Sequence, residues 1–275
     1  MASPEHVLTP RTGRVKAARR LATRRFREKE RAFLAEGPQA VREALELASR
    51  RPGLVHDVYA TAAVTQRYPD LVAAAGALWH VVDDEVVAAI SETVAPQGVV
   101  AVCDYLDRPL ADVLAGVPRL LAVCAEVRDP GNAGTVIRCA DAAGADAVLL
   151  LGDSVDPYNP KAVRASVGSI FHLDVVVERD TAAAVAAVRA AGLRVLAADG
   201  VADVDLFDAE RGGLLDGPTA WLFGNEAWGL PEPTRALADT VVSVPIFGRA
   251  ESLNLATAAA VCLYASARTA HPARD

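Results

Sequence analysis

Three short blocks in the second half of the chain carry side chains that could do chemistry together: residues 129–138, 222–231 and 244–255. Each block follows an apolar run typical of a β-strand and places glycine, proline or a small amide where a strand would pass into a helix. In open α/β sheets, ligands bind beyond the carboxyl ends of the strands. We therefore expect these three strand ends to form one composite site.

The polar side chains of the blocks each have a structural explanation beside a functional one. Asn132 would cap the helix that follows it, and Arg138 would form an ordinary ion pair on an exposed helix face. Glu226 would lie in a turn, while Ser252 and Asn254 would begin a closely packed, alanine-rich helix. Each explanation is adequate alone, but their coincidence at three strand ends favours a shared polar site.

Strand-like apolar runs recur throughout the second half, separated by segments with helical periodicity. The runs cover residues 120–125, 147–151, 175–177, 194–198, 221–223 and 241–244. Strands that are apolar along nearly their whole length and alternate with helices are typical of a parallel sheet covered on both faces. The predicted fold class is therefore α/β, with a parallel sheet and helices on both faces.

A smaller α/β layer precedes this region. Its predicted helices are a basic one at 16–27 and an amphipathic one at 41–47. Its predicted strands cover residues 32–35, 54–60, 78–82 and 98–102. A chain of about 100 residues can bury its own core. We place an N-terminal domain at 1–106, a linker at 107–118 and a larger domain at 119–275.

The composition is that of a globular protein, with 52% hydrophobic and 23% charged residues. No apolar run is long enough to cross a membrane, and the N-terminus lacks the apolar segment of a signal peptide. We therefore expect a cytoplasmic protein. Its four cysteines show no C-x-x-C pairing and its histidines are scattered, so we expect reduced thiols and no metal.

Positive charge is concentrated at the N-terminus. Residues 1–31 contain ten Lys or Arg residues against three Glu, although the whole chain has a net charge of −7. A basic arm on an acidic body is a common feature of nucleic-acid-binding proteins. On charge alone, a solvated tail or helix face remains an equal alternative.

Taken together, the three blocks resemble the motifs of the SpoU/TrmH-type RNA ribose 2′-O-methyltransferases of the SPOUT class. The resemblance covers residues 119–270, with all three motifs in order, and residues 156–169 are similar to an internal segment of that family. The first half resembles the small substrate-binding domain, related to a ribosomal-protein fold, that many members carry. Residues 33–38 and 97–99 stand where such domains have similar runs.

The resemblance implies a C-terminal deep trefoil knot, which binds S-adenosylmethionine. It also implies that the protein is a homodimer and that its substrate is RNA. The residues at the polar positions of the family's active site are Asn132, Arg138, Glu226, Ser252 and Asn254. The residues at or beside its cofactor-contacting positions are Phe223, Gly224, Pro245, Ile246, Leu253 and Leu255.

The cofactor is a sulfonium cation that loses its charge as the methyl group leaves. Because a carboxylate against the sulfur would stabilise the ground state, an uncharged cradle of backbone amides with Ile246 and Leu255 would suit the reaction. Holding both reactants in line can supply roughly 7–11 kcal/mol of the barrier.

The proton of the ribose hydroxyl needs an acceptor. The resemblance gives this role to Arg138 across the dimer interface, but a guanidinium pKa above about 12 makes arginine a poor base. We expect Arg138 to bind the adjacent phosphate and the developing alkoxide. Ser252, Asn254 or water would relay the proton, and Glu226 would fix the guanidinium.

Phosphate contacts would supply the affinity for RNA. The candidates for these contacts are Arg19, Arg20, Arg24, Arg25, Arg27, Lys161 and Arg164.

The sequence therefore predicts an RNA 2′-O-methyltransferase that acts on ribosomal RNA, since tRNA-directed relatives often lack the N-terminal domain. A tRNA ribose methyltransferase is the nearest alternative, and an antibiotic-resistance rRNA methylase is a narrower variant. A nucleotide-binding dehydrogenase would share the sheet pattern, but no G-x-G-x-x-G follows a strand. A non-catalytic RNA-binding protein is disfavoured by the joint presence of the five polar site residues.

Overall fold

The computed structural model describes residues 8–91 and 93–270. Glu5 and the histidines His6 and His271, which entered the charge and metal predictions, lie outside the described residues, as do the ends of the two predicted domains.

The first hundred residues form six α-helices and four strands. In chain order, these elements are α1 (Gly13–Arg20), α2 (Arg24–Glu30), β1 (Ala32–Glu36), α3 (Pro38–Arg50), β2 (Val55–Ala60), α4 (Ala62–Arg67), α5 (Pro69–Ala75), β3 (Trp79–Val81), α6 (Asp84–Ile90) and β4 (Val99–Asp104). The strands form one mixed sheet in the order β1-β4-β2-β3, with β4 antiparallel to β1 and β2. The four predicted strands are confirmed.

The predicted basic helix at residues 16–27 is wrong, because this segment forms two helices, α1 and α2. The Arg27 side chain explains the break. Its Nη1 donates to the carbonyls of Leu21 and Ala22, at 2.8 and 2.7 Å. These carbonyls follow the last turn of α1 and would otherwise lack partners.

The second half forms seven further strands and seven further α-helices. In chain order, these elements are α7 (Leu110–Ala115), β5 (Leu120–Ala125), α8 (Pro130–Ala142), β6 (Ala147–Leu151), α9 (Pro160–Ser166), β7 (Asp174–Glu178), α10 (Thr181–Ala190), β8 (Arg194–Ala198), β9 (Val204–Asp205), α11 (Leu206–Arg211), β10 (Thr219–Phe223), α12 (Glu232–Arg235), β11 (Thr240–Ser243) and α13 (Leu255–Ala270). Two 3-10 turns, Gly76–Leu78 and Ser169–Phe171, complete the described elements.

The larger sheet has the order β7-β6-β5-β10-β8-β11-β9, and every pairing in it is parallel. The α/β class and the parallel sheet are thus confirmed, whereas the trefoil knot stays a prediction. The prediction of six strands missed β9, which pairs through only two residues and is too short to show a periodicity.

Helices cover both faces of this sheet, as its apolar strands require. On one face, Leu121 and Leu222 pack in a cluster with Val113 of α7 and Val185 of α10. On the other face, Trp221 is fully buried and its Nε1 donates to Ser266 Oγ of α13 at 2.8 Å. Fully burying a large apolar side chain stabilises the fold by roughly 1.5–3 kcal/mol.

The chain divides into two compact units near the predicted domain boundary. One unit contains residues up to Tyr105 together with Tyr158–His172, and the other contains Leu106–Pro157 and the residues from Leu173 onward. This division differs from the predicted domains in two respects. The predicted linker contains α7, whose apolar side chains belong to the second unit's core, and residues 158–172 belong to the first unit.

An aromatic cluster accounts for the place of residues 158–172 in the first unit. The ring of Tyr158 lies 4.8 Å from that of Phe33 and 3.9 Å from that of Tyr105, and the ring of Phe171 lies 5.8 Å from Phe33. Such pairs contribute about 0.5–1.5 kcal/mol beyond their burial. The sequence gives no sign of this cluster because its members lie far apart along the chain.

Candidate active site

Strand order brings the three blocks to one edge of the larger sheet. The first follows β5, the second follows its neighbour β10, and the third follows β11. Because every strand runs parallel, these strands all end at the same edge. Strand β8 lies between β10 and β11, so the end of β8 belongs to the same place although no predicted block follows it.

Asn132 does not cap α8, contrary to the prediction. The cap is Asp129, whose Oδ1 accepts a hydrogen bond from the Asn132 backbone N–H at 2.9 Å. Pro130 occupies the first position of the helix, where its missing N–H costs nothing. As a result, the Asn132 side chain is left to make contacts outside the helix.

A chain of side-chain hydrogen bonds through Asn132 joins all three blocks. Its Nδ2 donates to Glu226 Oε1 at 3.1 Å, and its Oδ1 accepts from Asn254 Nδ2 at 3.1 Å. Asn254 in turn caps α13, since its Oδ1 accepts from the backbone N–H of Ala256 at 2.9 Å. The network fixes the orientation of the Asn132 amide.

Glu226 binds backbone as well as side-chain donors. Its carboxylate accepts from the backbone N–H groups of Arg128 and Asp129, at 3.2 and 3.1 Å, in addition to the Asn132 amide. Partial burial acts to raise the pKa of Glu226, but hydrogen bonding from its own backbone N–H and from these three donors outweighs the burial, and the pKa lies below its ordinary value. Within the chain, Glu226 therefore positions the turn before α8 rather than the guanidinium of Arg138.

A tight hairpin carries Glu226. The backbones of Asn225 and Gly229 exchange two hydrogen bonds of 2.9 Å. Asn225 is buried, and its Nδ2 donates to the carbonyl of Glu126 at 2.7 Å while its Oδ1 accepts from Ala227 N at 2.8 Å. Gly224 precedes the hairpin, and a Cβ there would lie 2.4 Å from the Gly229 carbonyl. Only glycine fits this approach of backbone to backbone.

A cavity of about 530 Å³ opens beside the hairpin, a size that suits a small ligand. All of the predicted cofactor-contacting residues line it, namely Phe223, Gly224, Pro245, Ile246, Leu253 and Leu255. Ser252 and Glu226 also line it. The three glycines in its wall, Gly200, Gly224 and Gly229, let a ligand approach the backbone closely. These features fit a nucleoside-type cofactor such as S-adenosylmethionine.

The expected uncharged cradle is wrong in one respect, because three carboxylates, Asp199, Glu226 and Glu251, are among the lining residues. Asp199 and Gly200 were missed because the sequence prediction considered only the ends of β5, β10 and β11. The apolar run at 194–198 followed by Asp-Gly was the available signal.

Arg138 lies on the side of α8 that faces away from the sheet. It is exposed, whereas its neighbours Val136, Ile137 and Ala140 are fully buried. Among the described residues it has no ion pair, so the ordinary surface pair considered above is not formed there. It follows Asn132 by roughly 9 Å along the helix axis and roughly 120° around it, so the two side chains leave α8 in different directions.

The predicted RNA-binding arginines of α1 and α2 are exposed, with one exception. Arg19 and Arg25 are exposed, and Arg24 Nε pairs with Glu28 at 2.8 Å. Arg20 is exposed too and lies 5.5 Å from the Phe26 ring centroid. Arg27 is the exception, because it is 2% exposed. Its place in the phosphate-binding set is therefore wrong.

The two predicted RNA-binding residues of α9 differ from each other. Lys161 is exposed in the first turn of α9. Arg164 instead donates to Glu36 Oε2 at 3.0 Å. Because the Glu36 side chain is only 8% exposed, this ion pair gives Arg164 a structural role within the first unit.

The described part of the chain has no cluster of three or more His, Cys, Asp or Glu side chains placed to hold a metal ion. The four cysteines are free, and burial raises the pKa of the Cys124 and Cys262 thiols to about 12. None of the helices within residues 8–91 and 93–270 combines the length and apolarity that crossing a membrane would require.

Comparison with known proteins decides the family. Residues 119–264 match the model of the SpoU rRNA Methylase family, over more than half of the chain. The chain belongs to the SpoU rRNA methylase family. Residues 13–101 of this SpoU methylase match the MRM3-like substrate binding domain, which accounts for the smaller unit.

Relatives with defined names agree with this membership. The chain is 34% identical over 254 residues to the 23S rRNA (guanosine(2553)-2′-O)-methyltransferase RlmP of Bacillus subtilis, covering 91% of this chain and 94% of that protein. The structure of the SpoU methyltransferase AviRb from Streptomyces viridochromogenes in complex with AdoMet matches with a TM-score of 0.81 and 31% identity, covering 96% of this chain and 100% of that one.

A second cofactor complex gives the same result. The AdoMet-bound rRNA methyltransferase from Sinorhizobium meliloti matches with a TM-score of 0.79 and 31% identity, covering 97% of this chain and 98% of that one. The predicted family, the methyltransferase class and S-adenosylmethionine as cofactor are thus confirmed.

Proposed function

We propose that this SpoU methylase transfers a methyl group to the ribose 2′-hydroxyl of a nucleotide in ribosomal RNA, acting as a homodimer in the cytoplasm, where that RNA is found. The observation that carries the proposal is the hydrogen-bonded network of Glu226, Asn132 and Asn254 beside a glycine-walled cavity. The extra N-terminal unit, with its exposed arginines, favours rRNA over tRNA.

S-adenosylmethionine, when bound in the cavity, supplies the activated methyl group. The residues expected to hold it are the six predicted contact residues that line the cavity, namely Phe223, Gly224, Pro245, Ile246, Leu253 and Leu255. Ser252 lines the same cavity and is exposed, so its hydroxyl can accept a hydrogen bond from the ribose and pass the proton to water.

Glu226 is a positioning residue in this proposal and not the base. Three N–H donors already bind its carboxylate and lower its pKa, which makes the group a weak proton acceptor. Its effect is to hold the Asn132 amide with one N–H pointing away from the network. That N–H can donate to the ribose oxygen as negative charge develops on it, a contribution that grows toward the transition state.

Arg138 of the partner subunit would complete the site. In its own chain, Arg138 leaves α8 in a different direction from Asn132 and is exposed. In the proposed dimer α8 would face the second copy, and Arg138, which has no ion pair within residues 8–91 and 93–270, would be available to the phosphate beside the target ribose. Arginine binds phosphate through two parallel N–H donors, so this role needs no deprotonation.

Mixing inactive variants tests the shared site. Arg138→Ala chains, which lack the phosphate contact, and Asn132→Ala chains, which lack the donor to the ribose oxygen, are prepared separately and then mixed under conditions that exchange subunits. If Arg138 acts across the interface, half of the dimers regain one intact site, so the mixture recovers about a quarter of the activity. If Arg138 acts within its own chain, no site is intact in any dimer and the mixture stays inactive.

The substrate is tested with the purified chain, S-adenosylmethionine carrying a tritiated methyl group, and rRNA from cells that lack the protein. The expected product is a 2′-O-methylated nucleoside after digestion of the RNA. Label in a nucleobase, or transfer to tRNA in preference to rRNA, would contradict the proposal. Arg138→Lys is the matched variant, and it is expected to bind the cofactor normally with a lower kcat because it loses the forked geometry.

A further inference from the structure

Trp228 is an exposed aromatic residue at the rim of the active site. The residue is 59% exposed, whereas Trp221 is fully buried. Its chain neighbours Ala227 and Gly229 both line the cofactor cavity, while Trp228 itself does not. It follows Glu226 by two residues in the same hairpin, so one turn carries both a carboxylate of the polar network and an exposed indole.

The hairpin holds Trp228 in place. Two backbone hydrogen bonds of 2.9 Å between Asn225 and Gly229 close the turn, and the buried side chain of Asn225 ties it to the carbonyl of Glu126. The close approach of Gly224 to Gly229 prevents the hairpin from moving closer to the end of β10. The backbone that carries the exposed indole is thus anchored, so the ring is presented from a fixed turn.

The charges near the hairpin favour a ring-stacking ligand over a phosphate. Glu226 is part of the hairpin, and Asp199 Oδ2 lies 3.7 Å from where a Cβ of Gly229 would be. Arg128, which precedes α8, is already paired with Glu126 Oε2 at 2.9 Å. Carboxylates repel a phosphate, but they leave the uncharged face of an indole free to pack on an uncharged ring.

We propose that Trp228 is a stacking platform for an unpaired nucleobase of the RNA, beside the nucleotide whose ribose is methylated. This inference rests on the proposed function. Stacking on aromatic side chains tolerates any base, because each base has an aromatic face. The platform therefore contributes affinity for an unstacked strand and places the ribose, while the residue that is methylated is selected elsewhere.

Trp228→Ala and Trp228→Phe test the platform. The substrate is rRNA from cells that lack the protein, and the readouts are KM and kcat for methylation, the Kd for this RNA and the Kd for S-adenosylmethionine. Trp228→Ala is expected to raise the Kd and KM for RNA by about 5- to 150-fold, with the Kd for the cofactor unchanged. The Kd and KM of Trp228→Phe for RNA are expected to lie between those of Trp228→Ala and those of the unsubstituted protein.

Val177→Ala is the matched control, because Val177 is 46% exposed on β7 and lines none of the cavity. It is expected to leave the RNA affinity unchanged. An unchanged RNA affinity in Trp228→Ala would overturn the platform. So would loss of the dimer by light scattering, since the indole would then pack against a second copy. If the unsubstituted chain methylates no rRNA, the proposed function fails, whereas the RNA-binding measurement still decides on Trp228.

Discussion

Gly224→Ala isolates the tight passage that shapes the cofactor cavity. The added Cβ would lie 2.4 Å from both the carbonyl carbon and the carbonyl oxygen of Gly229, and 2.6 Å from the nitrogen of Leu230. Ordinary contact begins at 3.4 Å, so backbone atoms must move by about 1.0 Å. Gly224 does not have a positive φ, which means that alanine meets no conformational barrier there and the close approach alone is tested.

Two structural changes can relieve this contact, and they lower the free energy of unfolding by similar amounts. If the hairpin stays in place, overpacking costs about 1–3 kcal/mol. If the hairpin moves, it loses the two Asn225–Gly229 hydrogen bonds, which together contribute about 1–3 kcal/mol. Either change also displaces the Gly229 wall of the cavity. We therefore expect a loss of about 1–3 kcal/mol in the free energy of unfolding, and a higher Kd for S-adenosylmethionine.

Urea unfolding and calorimetry with S-adenosylmethionine measure the two effects. Gly217→Ala is the control, because a Cβ at Gly217 meets nothing within 4 Å. The control is expected to unfold and to bind the cofactor like the unsubstituted protein. If Gly224→Ala behaves like Gly217→Ala in both assays, the backbone passage does not shape the cavity and the reasoning is wrong.

Three further predictions follow from the contacts of single side chains. Asn254→Asp keeps the oxygen that caps α13 but removes the donor to Asn132, so kcat is expected to fall while the urea midpoint stays constant. Equal losses of stability in Asn254→Asp and Asn254→Ala would show that the cap and the donor are not separate roles. Folding lowers the pKa of Glu226, so the contribution of this carboxylate to stability is present above pH 4.5 and is lost as the pH falls through the lower folded pKa. As the pH is lowered, the urea midpoint of Glu226→Gln is therefore expected to fall less steeply than that of the unsubstituted protein. Parallel curves for the two proteins would contradict this. Arg27→Ala is expected to destabilise the protein by about 1.5–3 kcal/mol, since it removes charged hydrogen bonds to Leu21 and Ala22. Arg25→Ala is expected to leave the urea midpoint unchanged and to reduce the salt dependence of RNA binding. The reverse pattern would contradict the structural role of Arg27 and the phosphate-binding role of Arg25.

The sequence predicted the parts of this site that depend on local chemistry. Apolar runs followed by glycine or small amides mark the strand ends, and the resemblance of these blocks to the family's motifs assigns residues such as Gly224 and Leu255 to the cofactor. Asp199 and Gly200 could not be assigned, because their place in the cavity depends on β8 lying between β10 and β11. Strand order is a long-range property that no local pattern reports.

The same limit explains the errors in the first unit. Arg27 belongs to a run of basic residues, and only the break between α1 and α2 shows that its guanidinium binds backbone carbonyls. The ion pair of Arg164 could not be predicted either, because its partner Glu36 lies 128 positions earlier in the chain. Charge counting identifies a basic surface, but it does not separate a free arginine from one that is already paired.

Mapping ribose methylation on total RNA from cells with and without this protein tests the central claim most directly. Without the protein, one 2′-O-methyl group in ribosomal RNA is expected to disappear, and it is expected to return with the unsubstituted chain but not with Arg138→Ala. An identical set of ribose methyl groups in both cell types, or a loss confined to tRNA, would contradict this claim.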